Sequence, residues 1–276
     1  MSGFFRPCFA ALSVLCVLLA VPALAGPLDG SLNGALKTRV LPGWRAADGR
    51  HVAALQFTLA PGWKTYWRAP GDAGISPRFD WRGSQNLSGV EVSWPAPVIF
   101  DQGGVRTIGY VEELILPLYL TPKQAGQDIR LSGRIELGVC SDVCVPMTVE
   151  VAQDLPGAQA RRDPMIAAAL AARPYSAQEG GVGRVACRIT PTEDGIEVRA
   201  EIDLPPSLGA EMIVIEADNP RLWVAQGETR RSGGRLRVDT QIYHVDGRAF
   251  ALDRSGLLIT ILGGAQAVEI KGCPTG

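Results

Sequence analysis

The chain has 276 residues, with 27 Lys and Arg against 28 Asp and Glu, for a formal charge of −1. That balance excludes a whole-chain electrostatic grip on nucleic acid or anionic membrane, and a hydrophobic share of 46% excludes a mainly disordered chain. With 32 Gly and 20 Pro, the sequence is punctuated by turns, which favours short strands over long helices.

Residues 1–25 read as a cleaved export signal. Arg6 supplies the positive charge, an apolar run extends from Phe9 to Leu19, and Ala23-Leu24-Ala25 forms a small-residue cleavage site before Gly26. The run is shorter than the roughly 20 apolar residues of a membrane span. No Cys follows the cleavage site to carry a lipid, and charges and prolines interrupt every later apolar stretch. The expectation is an exported, soluble chain with no span of its own after cleavage.

Residues 37–155 alternate apolar and polar residues in short runs between turn signals, the pattern of a β-sandwich. Val52–Leu59 and Glu91–Trp94 are such runs; Leu114–Leu120 is another, which its internal Pro117 assigns to an edge or bulged strand. Residues 156–183 break the pattern and read as a helical linker. Asp163 is a suitable N-cap with Pro164 at the first helical position, and an Ala-rich run stops before Pro174. Gly180-Gly181-Val182-Gly183 then reads as a flexible joint. Strand pattern returns over residues 184–276, in Val185–Ile189, Ile196–Ile202, Met212–Glu216, Leu236–Tyr243, Leu257–Leu262 and Ala267–Ile270. The fold expected is therefore all-β: two β-sandwich domains joined by a short helical linker.

Cys8 and Cys16 leave with the signal, and Cys140, Cys144, Cys187 and Cys273 remain, an even number that suits two disulfides in an oxidising compartment. Pairing Cys187 with Cys273 ties the first and last strands of the second domain, and a loop of that length is stabilised by roughly 4.6 kcal/mol in the chain-entropy model. This pair reads as structural.

Cys140 and Cys144 flank Ser141-Asp142-Val143 between two alternating runs. Folding the segment as a hairpin about Asp142 sets Val139 against Val145, Leu137 against Met147 and Ile135 against Val149 on one face. The other face pairs Glu136 with Thr148 and Arg134 with Glu150. Both cysteines then lie on the polar face, within reach of a partner, and opposite each other. Pro146 has no N–H to give, so Cys140 and Cys144 fall in a non-hydrogen-bonded pair with Cα atoms roughly 4.5 Å apart. A bond closing so small a loop gains only about 2 kcal/mol. Spacing leaves a reducible redox bond and a plain hairpin staple equally open.

The run Gly62-Trp63-Lys64-Thr65-Tyr66-Trp67-Arg68-Ala69-Pro70-Gly71-Asp72-Ala73-Gly74, followed by Trp94-Pro95-Ala96-Pro97 and Cys140-Ser141-Asp142-Val143-Cys144-Val145-Pro146, resembles the N-terminal periplasmic domain of the thiol:disulfide interchange protein DsbD, in its ScsB-like version. The resemblance covers residues 40–155, and the second domain is weakly reminiscent of the β-rich segment that follows in ScsB-like chains. It implies an immunoglobulin-like sandwich in the periplasm whose cysteine pair shuttles electrons without a cofactor. A membrane or thioredoxin-like protein would donate them, and disulfides of other exported proteins would receive them. It further implies that Cys144 forms the mixed disulfide and Cys140 resolves it. A cap loop would match part of Phe100-Asp101-Gln102-Gly103-Gly104, with Phe100 covering the sulfurs, Tyr110 lining the site, and Asp142 and Pro146 beside the cysteines. The chain departs from the full-length family in lacking the membrane segment and the C-terminal thioredoxin-like domain, and in a shorter cysteine spacing than the best-known member.

Neither His nor Lys is adjacent to the cysteines, and Asp142 between them disfavours an anion, so a modest nucleophile is expected. Two other readings stand beside exchange. Cys-x-x-x-Cys with Met147 offers soft ligands for Cu(I), although Met147 has apolar-face parity and His51 and His244 have no motif around them. A non-catalytic binding module with two static disulfides is the other, with Trp63, Tyr66 and Trp67 as a ligand patch or as core.

Overall fold

The computed structural model describes residues 1, 3, 34–102, 104–158, 161–206, 209–264 and 266–275. The export signal, with Cys8 and Cys16, lies outside the described residues apart from Met1 and Gly3, as does Gly103 of the expected cap.

The first lobe contains strands β1 (Leu36–Arg45), β2 (His51–Leu59), β3 (Lys64–Tyr66), β4 (Arg78–Asp80), β5 (Leu87–Val92), β6 (Val98–Gln102), β7 (Val105–Val111), β8 (Glu113–Pro122), β9 (Ile129–Cys140) and β10 (Cys144–Leu155). One sheet runs β1-β2-β8-β5. The other runs β10-β9-β3-β7-β6, with β4 also paired to β9. The inward-facing residues of both sheets, among them Leu55, Phe57, Leu116, Leu118, Ile135, Leu137 and Val139, form one buried core. Period-2 alternation therefore does what the sequence implies: it puts one face of each sheet into the sandwich.

Pro117 departs from expectation, because β8 lies in the interior of its sheet between β2 and β5. The reason is local. Its carbonyl accepts from the Ser93 N–H, so the ring nitrogen faces the β5 side as well, where pairing has already ended at Val92 opposite Leu118. The missing N–H has no ladder partner to lose.

Helix α1 (Pro164–Ala171) begins where the sequence places it. The Asp163 carboxylate accepts from the N–H groups of Met165 and Ile166 at 2.8 and 3.2 Å, and Pro164 occupies the first turn. Its one fully buried side chain, Ile166, packs with Leu41, Trp44, Val52 and Ala54 on the outer face of the first sheet. That cover explains why β2 is buried on both faces.

The second lobe contains β11 (Tyr175–Ser176), β12 (Val185–Pro191), β13 (Ile196–Asp203), β14 (Glu211–Ala217), β15 (Leu222–Val224), β16 (Glu228–Ser232), β17 (Arg235–His244), β18 (Leu257–Gly263) and β19 (Gln266–Lys271). Its sheets run β11-β19-β18-β14 and β12-β13-β17-β15, with β16 beside β17. Strand β16 reads Glu-Thr-Arg-Arg-Ser, with no apolar alternation to announce it. The linker does more than connect: Tyr175 and Ser176 add a parallel edge strand to β19. The glycine joint is a hydrogen-bonded turn rather than a free hinge, since Gly180, Val182 and Gly183 donate to Ser176, Ala177 and Asp203.

Strand β14 is buried on both faces. Ile213 and Ile215 enter the second core, whereas Met212 and Val214, with Leu262 and Ala267, join the core of the first lobe. One sheet of the second lobe is thus the shared wall of both cores. Arg68 pins this contact, with a bidentate pair to Glu216 at 2.9 Å and a further bond to Glu269 at 2.7 Å, its guanidinium stacked over Trp67.

Candidate redox site at the tip of a β-ribbon

The register of β9 against β10 is the one parity implies. Cys140 pairs with Cys144, Val139 with Val145, Leu137 with Met147, Ile135 with Val149, Glu136 with Thr148 and Arg134 with Glu150. Cys140 and Cys144 are disulfide-bonded, with Cα atoms 4.1 Å apart. Alternation on this ribbon carries into structure because one face is buried, so a one-residue slip would turn Ile135, Leu137 and Val139 out of the core.

Exposure divides the two cysteines, against the expectation that both are reachable. Cys144 is exposed on β10, the outermost strand of its sheet, whereas Cys140 is fully buried. The difference arises from β3, which pairs with β9 on the other side. Lys64 lies opposite Cys140 and Thr65 opposite Val139. Opposed residues share a face, so Lys64 and, two residues on, Tyr66 stand on the cysteine face of the sheet. The Tyr66 ring lies across Gly138, where a Cβ would come within 2.8 Å of it, so only glycine admits the ring here. This covers the polar face of the ribbon near its tip.

The Tyr66 hydroxyl is 2.9 Å from both sulfurs of the bridge. Neither sulfur carries a proton in a disulfide, so the phenol donates to the pair. Burial pushes the Tyr66 phenol above its usual range, which keeps that proton in place at neutral pH. Lys64 is 8% exposed, burial lowers its ammonium below the usual lysine range, and its Nζ sits 4.9 Å from the centre of the Phe100 ring.

The expected cap is the β6–β7 hairpin. Phe100 pairs with Thr107, and its ring meets Lys64. Asp101 is exposed and accepts from the Gly104 N–H at 3.0 Å. Gln102 pairs with Val105 through the backbone, and Gly104 takes the positive φ of 87° that the turn requires. Asp142 is exposed in the ribbon turn, and Pro146 is exposed opposite Gly138. Tyr110 is placed elsewhere. It pairs with Thr65, so its side chain enters the core on the opposite face, where it donates to the Pro95 carbonyl and stacks on Trp94. Cys187 and Cys273 form the second bond, both almost fully buried, with Cα atoms 5.5 Å apart. Arg254 donates to both of their carbonyls.

The aromatic run resolves into separate tasks: Tyr66 on the disulfide, Trp67 in the core, Trp63 against it. Lys64 is the residue beside the bridge that linear reading missed, because its ladder neighbour Cys140 is far away in sequence. Lys64 and Tyr66 do share parity around Thr65, a signal available only once their strand partner is known. Met147 packs against the first core on the face opposite the cysteines, while His51 is buried in β2 and His244 ends β17. The soft-ligand set for Cu(I) is therefore not assembled around the pair.

Residues 37–156 match the family model of the thiol:disulfide interchange protein DsbD, N-terminal. This segment belongs to that family. The whole architecture is similar to the crystal structure of the N-terminal periplasmic domain of ScsB from Proteus mirabilis, with 22% identity and a TM-score of 0.62, covering 87% of this chain and 92% of that one. No curated protein sequence matches the chain. The family match is confined to the DsbD-type first lobe, whereas the fold likeness is too long to stop there and extends into the second. Among the described residues, no helix is long and apolar enough to cross a membrane.

Proposed function

We propose that this is an exported thiol–disulfide exchange protein that works in the periplasm. It relays reducing equivalents from a thioredoxin-like or membrane electron donor to disulfides of other exported proteins, through Cys140 and Cys144 and without a cofactor. The observation that carries this reading is the asymmetry of one bond: an exposed cysteine on an edge strand joined to a fully buried one, with the Tyr66 hydroxyl 2.9 Å from both sulfurs. Membership of the first lobe in the DsbD N-terminal family supports the same chemistry.

The geometry favours one order of events. A donor thiolate attacks Cys144 Sγ, the accessible sulfur. The Cys140–Cys144 bond breaks, and Cys140 leaves as a thiolate into the space beside Tyr66 and Lys64. A second donor thiol, deprotonated, attacks its own partner sulfur, releasing Cys144 and leaving the donor oxidised by two electrons. Downstream, the Cys144 thiolate attacks a target disulfide, and Cys140 then attacks Cys144 to release the reduced target.

Trapping tests this. With Cys140→Ala, a donor-type protein activated as a mixed disulfide should become covalently bound to Cys144 in stoichiometric yield. With Cys144→Ala, the buried Cys140 should capture almost none. Equal capture by both variants, or resistance of the Cys140–Cys144 bond to dithiols that spare Cys187–Cys273, would instead favour a static scaffold.

A further inference from the structure

Lys64 is not explained by packing. It is an ammonium-bearing side chain in the three-residue strand beside the bridge, only 8% exposed, and no carboxylate among the described residues pairs with it. Its Nζ lies over the Phe100 ring, 4.9 Å from the ring centre. A buried cation with no carboxylate partner among the described residues is costly to keep, and its neighbour across the ladder is Cys140.

We propose that Lys64 is a positioning residue for the leaving group: its ammonium stabilises the Cys140 thiolate released when a partner attacks Cys144. This rests on the exchange reading above. Cβ atoms of directly opposed residues lie about 4.5–5.5 Å apart, and the flexible four-carbon stem of lysine spans that gap once it leaves the Phe100 ring. No electron is added by this step. The bonding pair of the broken S–S bond stays on Cys140, and the positive charge beside it replaces solvation that the buried sulfur lacks. The effect is directional. A leaving thiol of lower pKa leaves faster, so a cation that stabilises the Cys140 thiolate favours attack at Cys144.

Other groups face this pair. Tyr66 offers a neutral O–H from β3, Glu136 lies four residues up β9 opposite Arg78, Asp142 is exposed in the turn, and Asp101 and Arg106 are paired near the β6–β7 turn. The carboxylates oppose a thiolate and Tyr66 supports it, so the contribution of Lys64 is read as a difference between variants.

The test uses the full chain with Cys144→Ser, which leaves Cys140 as the sole site thiol while Cys187–Cys273 stays bonded. Thiolate absorbance is followed against pH with Lys64 intact, with Lys64→Met and with Lys64→Arg. Lys64→Met should leave about tenfold less thiolate at pH 7, a rise of one pKa unit, and Lys64→Arg should restore most of it. An unchanged titration in Lys64→Met overturns the proposal. Should that variant misfold, the Lys64 Nζ resonance in Cys144→Ser decides: a step at the Cys140 midpoint supports the contact, and no step removes it. Neither readout involves a partner, so failed trapping with an intact Lys64 effect would refute the exchange reading alone.

Discussion

The molecule carries the same covalent bond in two settings. Cys187–Cys273 spans 86 positions, with both sulfurs inside the second core and both carbonyls held by Arg254. Cys140–Cys144 spans four positions at the end of a ribbon, with one cysteine exposed, the other fully buried, and a tyrosine hydroxyl at both sulfurs. The first constrains a long stretch of unfolded chain and has both cysteines almost fully buried. The second constrains little and presents one sulfur outward. Chain constraint and exposure are thereby separated between two bonds in one chain.

The largest expected effect follows from loop length. Replacing Cys187 and Cys273 together by Ala should cost about 4.6 kcal/mol of unfolding free energy in the chain-entropy model, and replacing Cys140 and Cys144 no more than about 2 kcal/mol. Denaturant midpoints of the two double variants would show it, and equal losses would break the comparison.

The next effects separate residues two apart in one strand-and-loop segment. Arg68→Met leaves Glu216 and Glu269 without their shared cation at the wall between the lobes, where all three side chains are 20–25% exposed. A loss of about 2 kcal/mol is expected, below the range for a fully buried pair because of that exposure, with the exchange rate unchanged. Tyr66→Phe should do the reverse. It removes the O–H from both sulfurs, a change of about 1 kcal/mol in the balance between bridged and reduced forms, read as a roughly fivefold shift in a dithiol titration with the denaturant midpoint nearly constant.

The smallest effect is a control distant from either bond. His51 is buried, its Nε2–H donates to the Pro42 carbonyl at 2.5 Å, and its Nδ1 has no partner among the described residues. Burial holds its pKa below the ordinary 6.5. The unfolded chain therefore takes up a proton first as pH falls through 6.5, and stability declines from there toward the lower folded pKa, by at most about 1.4 kcal/mol per pH unit. His51→Leu should flatten that slope equally in the bridged and reduced protein.

The sequence by itself determined whatever depends on parity and on neighbours in the chain. The ribbon register follows from alternation on both sides of Asp142, the helix start from Asp163 and Pro164, and the six second-lobe strands from apolar runs that β12, β13, β14, β17, β18 and β19 each contain. Parity names a face but does not say what covers it. Only the tertiary structure decided that β3 lies beside β9, that Tyr66 reaches both sulfurs while Cys140 is buried and Cys144 stays exposed, and that Lys64 stands opposite a cysteine 76 positions away. The same holds for Pro117, tolerated in an interior strand because the neighbour on that side has ended, and for Met212 and Val214, buried by the other lobe. These outcomes come from pairing between distant strands, whose register local alternation leaves unspecified.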